Sequence, residues 1–491
     1  MDCEKNLTER MTSSMYNSIQ HFNEFGVKKI EERIKTFISE GQDLADLVLG
    51  LGEDVFELIR NIIVEVLEDM DEYLRNSAFR KKKWEIVRRD EASLLTSYGT
   101  IKYRKTYFKP KGGGKRRYLL DDIVGIEPHD KMSADVVINV VDEAIDSTYR
   151  KGGQRASCLD EITKQSVMNK IHELEVIEPE LKVEKKKEVR FLYIEADEDH
   201  AALQHRSDRK CPQKRMAMPK LVYVHEGIDY ERSGKTRTRL KNIRYFGGIY
   251  KESEDLWLKV ANYIDSKYNL DAIETIYLSG DGASWIQTGL QLIPKSRFVL
   301  DNYHLKKYII TATSHLSDKG IYQELDSALL KADKSQVKNV FRKILKLTDS
   351  DTKTEAVKAA GRYILKNWEG IKIKAEPGNN IVGCSAEGHV SHVFSSRLSS
   401  RPKGWSEKGA AKMSRLIIYK KNGGKVYDLV MAQKRKHEIE RREMQDQLVK
   451  EMRKLSESKY ANSWNSKPTV ITTGKKTALY NELRSIAGIR Y

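Results

Sequence analysis

The sequence predicts an α/β fold, and three observations between Val189 and Leu305 and just beyond predict it. Apolar runs follow one another in the order strand, strand, strand, helix, strand, helix, strand. Acidic residues close three of those strands: Phe191-Leu192-Tyr193-Ile194 ends in Glu195-Ala196-Asp197, Ile276-Tyr277-Leu278 in Ser279-Gly280-Asp281, and Phe298-Val299-Leu300 in Asp301. A long helical pattern then follows Asp301 and interrupts the fold. The order is that of a ribonuclease H-like core, in which carboxylates converging at strand ends hold divalent metals.

Taken from the N-terminus, residues 1–92 read as a helical region, with Val55, Leu58, Ile59, Ile62, Ile63, Val66, Leu67 and Met70 on one apolar stripe. A packed helical pair accounts for the stripe, with a dimerisation helix as the alternative. Residues 93–176 read as a basic strand pair followed by a helix-turn-helix-like DNA-binding region. In Thr100–Phe108, Ile101, Tyr103 and Tyr107 alternate with Lys102, Arg104 and Lys105, and Lys111-Gly112-Gly113-Gly114-Lys115 makes a basic turn. Ser133 is placed to cap a helix through Ile145, with Val136, Val137, Val140, Val141 and Ala144 inward, and Gly152-Gly153 to break the chain after it. Thr163 is placed to cap a further helix, Lys164 to Leu174, which presents Lys164 and Gln165 where base edges are reached in helix-turn-helix proteins. An ordinary three-helix packing unit explains the same pattern, and the basic context favours DNA.

Glu178 to Lys187 forms a charged linker. Residues 188–303 make the first part of the core, with Leu221–Val224 and Ile243–Tyr250 as its second and third strands and Leu256, Val260, Ile264 and Tyr268 marking the crossover helix. Residues 304–375 are the helical insertion, 376–430 the second part of the core, and 431–491 a charged helix, Arg435 to Lys459, with a polar tail.

The chain has 491 residues and a net charge of +17, a balance that suits a polyanionic partner, double-stranded DNA before an anionic membrane surface. No apolar run of about eighteen residues occurs, and Met1-Asp2-Cys3-Glu4 does not open a signal peptide, so a cytoplasmic protein with no membrane partner is expected. Cys3, Cys158, Cys211 and Cys384 form no close pair, which argues against a disulfide framework and a structural zinc site.

Asp197 and Asp281 fall on strands that are neighbours in this topology, as a shared metal site requires. Glu387, in Ser385-Ala386-Glu387-Gly388-His389, is the best third acid, and its distance along the chain suits a core carrying an insertion. Three hard oxygen donors favour Mg²⁺ or Mn²⁺. Two such ions roughly 4 Å apart suit phosphodiester cleavage and strand transfer. Asp199 is a rival to Asp197. Zinc binding by His304, Cys384, His389 and His392 is disfavoured by their uneven spacing. Ser233-Gly234-Lys235-Thr236 fails as a phosphate-binding loop because Asp229 stands where glycine is needed. The polar string Ser395 to Ser406 suits a DNA-gripping loop, with Arg397 and Arg401 on phosphates and Trp405 free to stack, or else a solvated turn.

These motifs, Leu192 to Asp197, Ser279 to Ile286, Leu300 to Lys307 and Ser385 to His392 with the serine-rich run after it, together resemble the IS-Lre family of bacterial insertion-sequence transposases, relatives of the Mutator-type DDE enzymes. The resemblance implies Asp197, Asp281 and Glu387 as the catalytic, metal-holding triad and Asp301 with His304 as an auxiliary aspartate-x-x-histidine element. It implies binding of the element's terminal inverted repeats, metal-dependent cleavage and joining to target DNA, and a homo-oligomer assembled on DNA. A transposase-derived DNA-binding protein without catalysis and a nuclease of the same fold are the alternatives. Glu198-Asp199-His200 departs from the glycine that follows the first aspartate in many relatives.

Overall fold

The computed structural model describes residues 17–177, 185–204, 216–234, 238–401 and 404–435. Most of the expected linker, the end of Ser233-Gly234-Lys235-Thr236, and the charged helix and tail past Arg435 lie outside the described residues. The chain divides into two units, one of Met1–Val140, Gly152–Thr163 and Val430–Tyr491, the other of Val141–Lys151 and Lys164–Leu429. The stretch 93–176, expected to act as one region, is therefore shared between them.

In the first unit, helix α1 (Val27–Glu40) is joined to α2 (Leu44–Asn76) by Arg33, whose Nε lies 2.6 Å from the buried Asp54 Oδ2. Asp43 caps α2 by accepting from the Ala45 N–H at 2.8 Å, the bond an N-cap supplies to an otherwise unpartnered donor. Leu67, Tyr73 and Leu74 of α2 bury against Trp84, Leu94, Ile101, Tyr103 and Phe108 of an antiparallel hairpin, β1 (Trp84–Thr96) and β2 (Gly99–Pro110). Strand β3 (Arg117–Tyr118) completes this sheet. The helical reading to residue 92 is corrected here, since β1 starts at Trp84. A register shift between Ile86 and Arg88 breaks the two-residue alternation that marks a strand in sequence. Of the predicted stripe, Leu67 is buried and Val55 and Val66 are exposed.

Helix α3 (Ala134–Asp146) carries Val136, Val140, Val141 and Ala144 fully buried. Gly152 and Gly153 do not break the chain as expected but lie buried within the helix Tyr149–Gln154. A Cβ on Gly153 would stand 2.2 Å from the Ile162 carbonyl oxygen, so glycine is there for close approach rather than for a turn. Helix α4 (Lys164–Glu173) buries Val167 and Ile171.

The second unit is built on a five-stranded sheet of β4 (Phe191–Glu198), β5 (Lys220–His225), β6 (Arg244–Gly248), β7 (Thr275–Gly280) and β8 (Ser296–Leu300), in the spatial order β8-β7-β4-β5-β6. β4, β5 and β6 pair antiparallel, whereas β7 and β8 run parallel to β4. One face is apolar: Leu192, Ile194, Ala196, Val222, Val224, Ile276 and Leu278 pack on Leu256, Trp257, Val260 and Ile264 of α5 (Ser253–Lys267) and Trp285 and Ile286 of α6 (Ser284–Leu292). The Trp257 indole N–H donates to the Trp285 carbonyl at 2.6 Å, so the largest buried side chain keeps its donor satisfied. The opposite face carries Tyr193, Tyr277 and Val299.

Four longer helices follow, α7 (Asn302–Thr313), α8 (Gly320–Leu330), α9 (Lys334–Lys346) and α10 (Asp351–Lys366), and a short one, Trp368–Lys372, around their own core of Ile309, Leu325, Val340, Ile344, Val357 and Ile364. The chain returns through α11 (Ala386–Val390), which runs on as a π turn, Ser391–Ser395, and one further helical turn, Ser396–Leu398, and then forms α12 (Glu407–Lys421).

Candidate active site

Strand alternation puts Tyr193, Glu195 and Asp197 on one face of β4, opposite the apolar core. Glu195 pairs in register with Ser279, so two residues further along parallel strands Asp197 and Asp281 come level. The next parallel pair repeats the relation: Ser279 faces Val299, and the Asp301 N–H donates to the Gly280 carbonyl at 2.9 Å. Three carboxylates thus leave one edge of the sheet.

Each is held differently. Asp281 Oδ1 accepts from the Ala283 N–H at 2.8 Å, and its carbonyl accepts from the Tyr363 hydroxyl of α10 at 2.6 Å. Gly282, at φ +82°, makes the turn after it, where a Cβ would stand 2.2 Å from Asn367 Oδ1. Asp301 caps α7 through the Tyr303 N–H and lies 3.0 Å from His304 Nδ1. Burial pushes the Asp301 carboxyl up, but the His304 and backbone bonds outweigh it and hold it low. The His304 imidazole is raised, first by its bond to Asp301 and further by the fields of Asp197 and Asp281, against desolvation.

Glu387 sits exposed in the first turn of α11. Its charge is felt at Asp197, whose carboxyl is pushed up to about 7 by burial above all, then by Glu387 and Asp281, against the Glu198 N–H and His304. Asp197 thus lies within the fields of Glu387, His304 and Asp281. Among the described residues no group of three His, Cys, Asp or Glu side chains is drawn into a ready-made metal cage. The donor set nonetheless suits a hard dication: all three acids supply oxygen, and an added positive charge would offset the burial and, after it, the like charges that raise Asp197. Asp199 is buried, with its Oδ1 accepting from the Ser399 hydroxyl at 2.8 Å.

Glu195, to which the sequence assigns no role, is a densely bonded acid of this face. It is 2% exposed, lies 3.0 Å from His225 Nε2 through Oε1, and accepts through Oε2 from the Tyr223 hydroxyl at 2.5 Å and the Ser385 N–H at 2.5 Å. Burial drives its carboxyl up, yet these bonds leave the net shift downward. The Gly227 N–H donates to His225 Nδ1 at 3.1 Å, which leaves the Nε2 hydrogen for Glu195. The signal for it was available, since an acid flanked by Ile194 and Ala196 in mid-strand needs a partner. His389 Nδ1 lies 2.9 Å from the Tyr245 hydroxyl. Tyr245 and His389 line a groove of about 760 Å³ with Arg239, His392 and Lys421.

The expected DNA contacts divide. Lys164 and Gln165 are exposed at the start of α4, where Gln165 Nε2 donates to Asn169 Oδ1 at 3.0 Å. Arg401 is exposed as well. Arg397 and Trp405 are not available to DNA, a correction to the gripping-loop reading. Arg397 is buried, its Nε donates to the Ala144 carbonyl at 2.9 Å, and its guanidinium lies 4.8 Å from the Trp405 ring centre. The Trp405 indole N–H donates to the Leu398 carbonyl at 2.9 Å. The π turn before them shifts the helical phase, so Arg397 and Leu398 both turn inward in a stretch that looks polar throughout.

Residues 37–436 match the family model described as "Uncharacterised protein family (UPF0236)". The chain belongs to the UPF0236 family. Its relatives include UPF0236 protein TTE2489 of Caldanaerobacter subterraneus subsp. tengcongensis, 39% identical over 93% of this chain and 96% of that one. Another UPF0236 protein of the same strain, whose name joins loci from TTE0033 to TTE2212, is 39% identical over 91% of this chain and 93% of its own length. The family is thus present in many copies within one genome, as is typical of mobile elements. A UPF0236 protein in the vanSb 3′ region of Streptococcus gallolyticus is 25% identical over 80% of this chain and 86% of that one. Among solved structures, the Drosophila P element transposase strand transfer complex aligns over 61% of this UPF0236 chain and 81% of that chain at 10% identity, with a TM-score of 0.19, too low to bear on the argument. Among the described residues no helix is long and apolar enough to cross a membrane.

Proposed function

We infer that this UPF0236 member is a metal-dependent DDE transposase of a bacterial insertion sequence, with a ribonuclease H-like core, that cuts its element's ends and joins them to target DNA. The reading is supported by the parallel register of Glu195 with Ser279, which sets Asp197 and Asp281 two residues further along neighbouring chain segments, and by the field of Glu387 at Asp197. The strand order β8-β7-β4-β5-β6, with only β7 and β8 parallel to β4, supports the core assignment. The multicopy relatives suit an element that duplicates itself, and the charge of +17 suits a DNA partner. The resemblance to the IS-Lre family joins these features.

Asp197, Asp281 and Glu387 would hold Mg²⁺ or Mn²⁺, which when bound supplies an activated oxygen nucleophile and charge stabilisation for phosphodiester exchange. Asp301 orients His304, whose raised affinity for a proton favours a positive charge near the acids, suited to a DNA phosphate. Lys164 and Gln165 are proposed to meet base edges and Arg401 a phosphate, on a homo-oligomer assembled on double-stranded DNA in the cytoplasm.

The test incubates purified protein with Mg²⁺ or Mn²⁺ and a labelled fragment carrying the element's ends, following cleavage, joining and binding together. Glu387→Gln is expected to lower cleavage and joining by about two orders of magnitude while salt-sensitive binding survives. Cutting by Glu387→Gln at the parent rate would overturn the triad. Binding without cutting would point to a transposase-derived DNA-binding protein, and cutting without joining to a nuclease.

A further inference from the structure

We propose that Glu195 is a positioning residue that fixes where Glu387 stands by holding Ser385, and so sets how tightly the acid cluster takes a divalent cation. The proposal rests on the reading of Asp197, Asp281 and Glu387 as one metal site. Glu387 arrives on a five-residue helix that follows a lead-in, from Glu376 to Ser385, with neither helix nor strand. A Cβ on Gly383 or Gly388 would meet nothing within 4 Å, so close packing does not hold the chain at those two positions, although Ala386 between them is buried.

The lead-in is tied down by one face of β4, in sequence order. The Tyr193 hydroxyl donates to the Asn380 carbonyl at 2.7 Å. Two residues on, Glu195 Oε2 accepts from the Ser385 N–H at 2.5 Å and from its hydroxyl at 3.2 Å. Two further on, Asp197 feels the charge of Glu387. Residues 193 and 195, spaced about 6.6 Å along the strand, thus bond residues 380 and 385, and residue 197 lies next in line, within the field of 387. The strand that supplies one acid also locates another.

The bond to Ser385 is suited to that purpose. Ser385 precedes the first residue of α11, so its N–H belongs to a helix start where donors lack intrahelical partners, and a carboxylate is a stronger acceptor there than a neutral group. Tyr223 braces the same point, its hydroxyl lying 3.0 Å from Ser385 Oγ. The two carboxylate oxygens have separate tasks: Oε1 faces His225, and Oε2 faces Tyr223 and Ser385. A role confined to burying an acid–histidine pair would place the importance on Oε1; positioning places it on Oε2.

The experiment uses the full chain and three variants, Glu195→Gln, Ser385→Ala and His225→Gln, with two readouts that need no catalysis. Ser385→Ala removes only a hydroxyl from an exposed residue and leaves the core intact, so it speaks even where Glu195→Gln folds poorly. By amide hydrogen exchange without metal, Glu195→Gln and Ser385→Ala are expected to speed exchange in peptides covering 384–392 while those of β4, β5 and α5 keep their protection. By Mn²⁺ titration followed by electron paramagnetic resonance, both are expected to raise the half-saturating concentration about tenfold, as loss of an orienting partner does, with His225→Gln close to the parent. Unchanged exchange over 384–392 in both variants overturns the proposal, as does loosening spread across β4 and β5 or His225→Gln matching Glu195→Gln in both readouts. If the parent binds no Mn²⁺, or binds it equally after Asp197→Asn, the metal reading fails, and the exchange data alone then decide whether Glu195 holds α11.

Discussion

Asp301 Oδ2 lies 3.0 Å from His304 Nδ1 across the first turn of α7, and the pair stands on the strand edge that carries Asp281. The bond favours the protonated imidazole, and the fields of Asp197 and Asp281 favour it further.

His304 should therefore titrate above an ordinary histidine, and Asp301→Asn should lower its midpoint. The folded pKa is raised, so the pair's stabilisation is fully present below the unfolded histidine value and is lost as pH rises through the folded one. A histidine-selective NMR titration of the parent and Asp301→Asn checks this; an unmoved His304 midpoint would show that Asp301 does not govern it.

Asp197 gives a prediction of the same sign from the opposite charge. Its carboxyl, with a folded value of about 7 against 3.8 for an ordinary aspartate, keeps a proton that the unfolded chain has released, so stability falls as pH rises from about 4 to 7. Without divalent ions at pH 7.5 or above, Asp197→Asn should be more stable than the parent by on the order of 2 kcal/mol, after allowing for solvent screening of a part-buried group. Thermal melts across pH measure it, and Mg²⁺ should stabilise the parent more than the variant.

Arg397 and Trp405 should prove structural. Removing either leaves a buried group without its partner, and Arg397→Ala is expected to cost about 2–4 kcal/mol of unfolding free energy. Arg401→Ala should leave stability unchanged and reduce the salt slope of DNA binding by about one. Chemical denaturation and binding at several salt concentrations separate the two; an Arg397→Ala protein of parental stability would contradict the packing described above.

Lys164→Ala and Gln165→Ala should lower discrimination between element ends and random DNA by about 1–3 kcal/mol for a lost bidentate base contact. Equal weakening on both DNAs would place these residues on phosphate, and no weakening would remove α4 from the interface.

The strands around Asp197 and Asp281 are legible in sequence because each apolar run is short, buried and closed by an acid, and parallel register then makes the two acids neighbours. Glu195 is harder to see: in Glu195-Ala196-Asp197-Glu198-Asp199 charge alone does not say which acids are paired, and its partners Tyr223, His225 and Ser385 come from distant parts of the chain. Arg397 and Trp405 were misread for a related reason. Their cage is built from Tyr149 and Ala144, and no local pattern announces a tertiary partner. The early start of β1 is hidden by its bulge, because alternation is the only strand signal a charged hairpin offers.

The Tyr363 hydroxyl on the Asp281 carbonyl and Asn367 against Gly282 make the end of α10 the back wall of the turn that presents Asp281. The helical segment is thus scaffolding for that turn and no detachable ornament. Splicing Asp301 directly to Asn379 to obtain a smaller domain would spare every strand of the sheet and still leave Asp281 on an unsupported hinge.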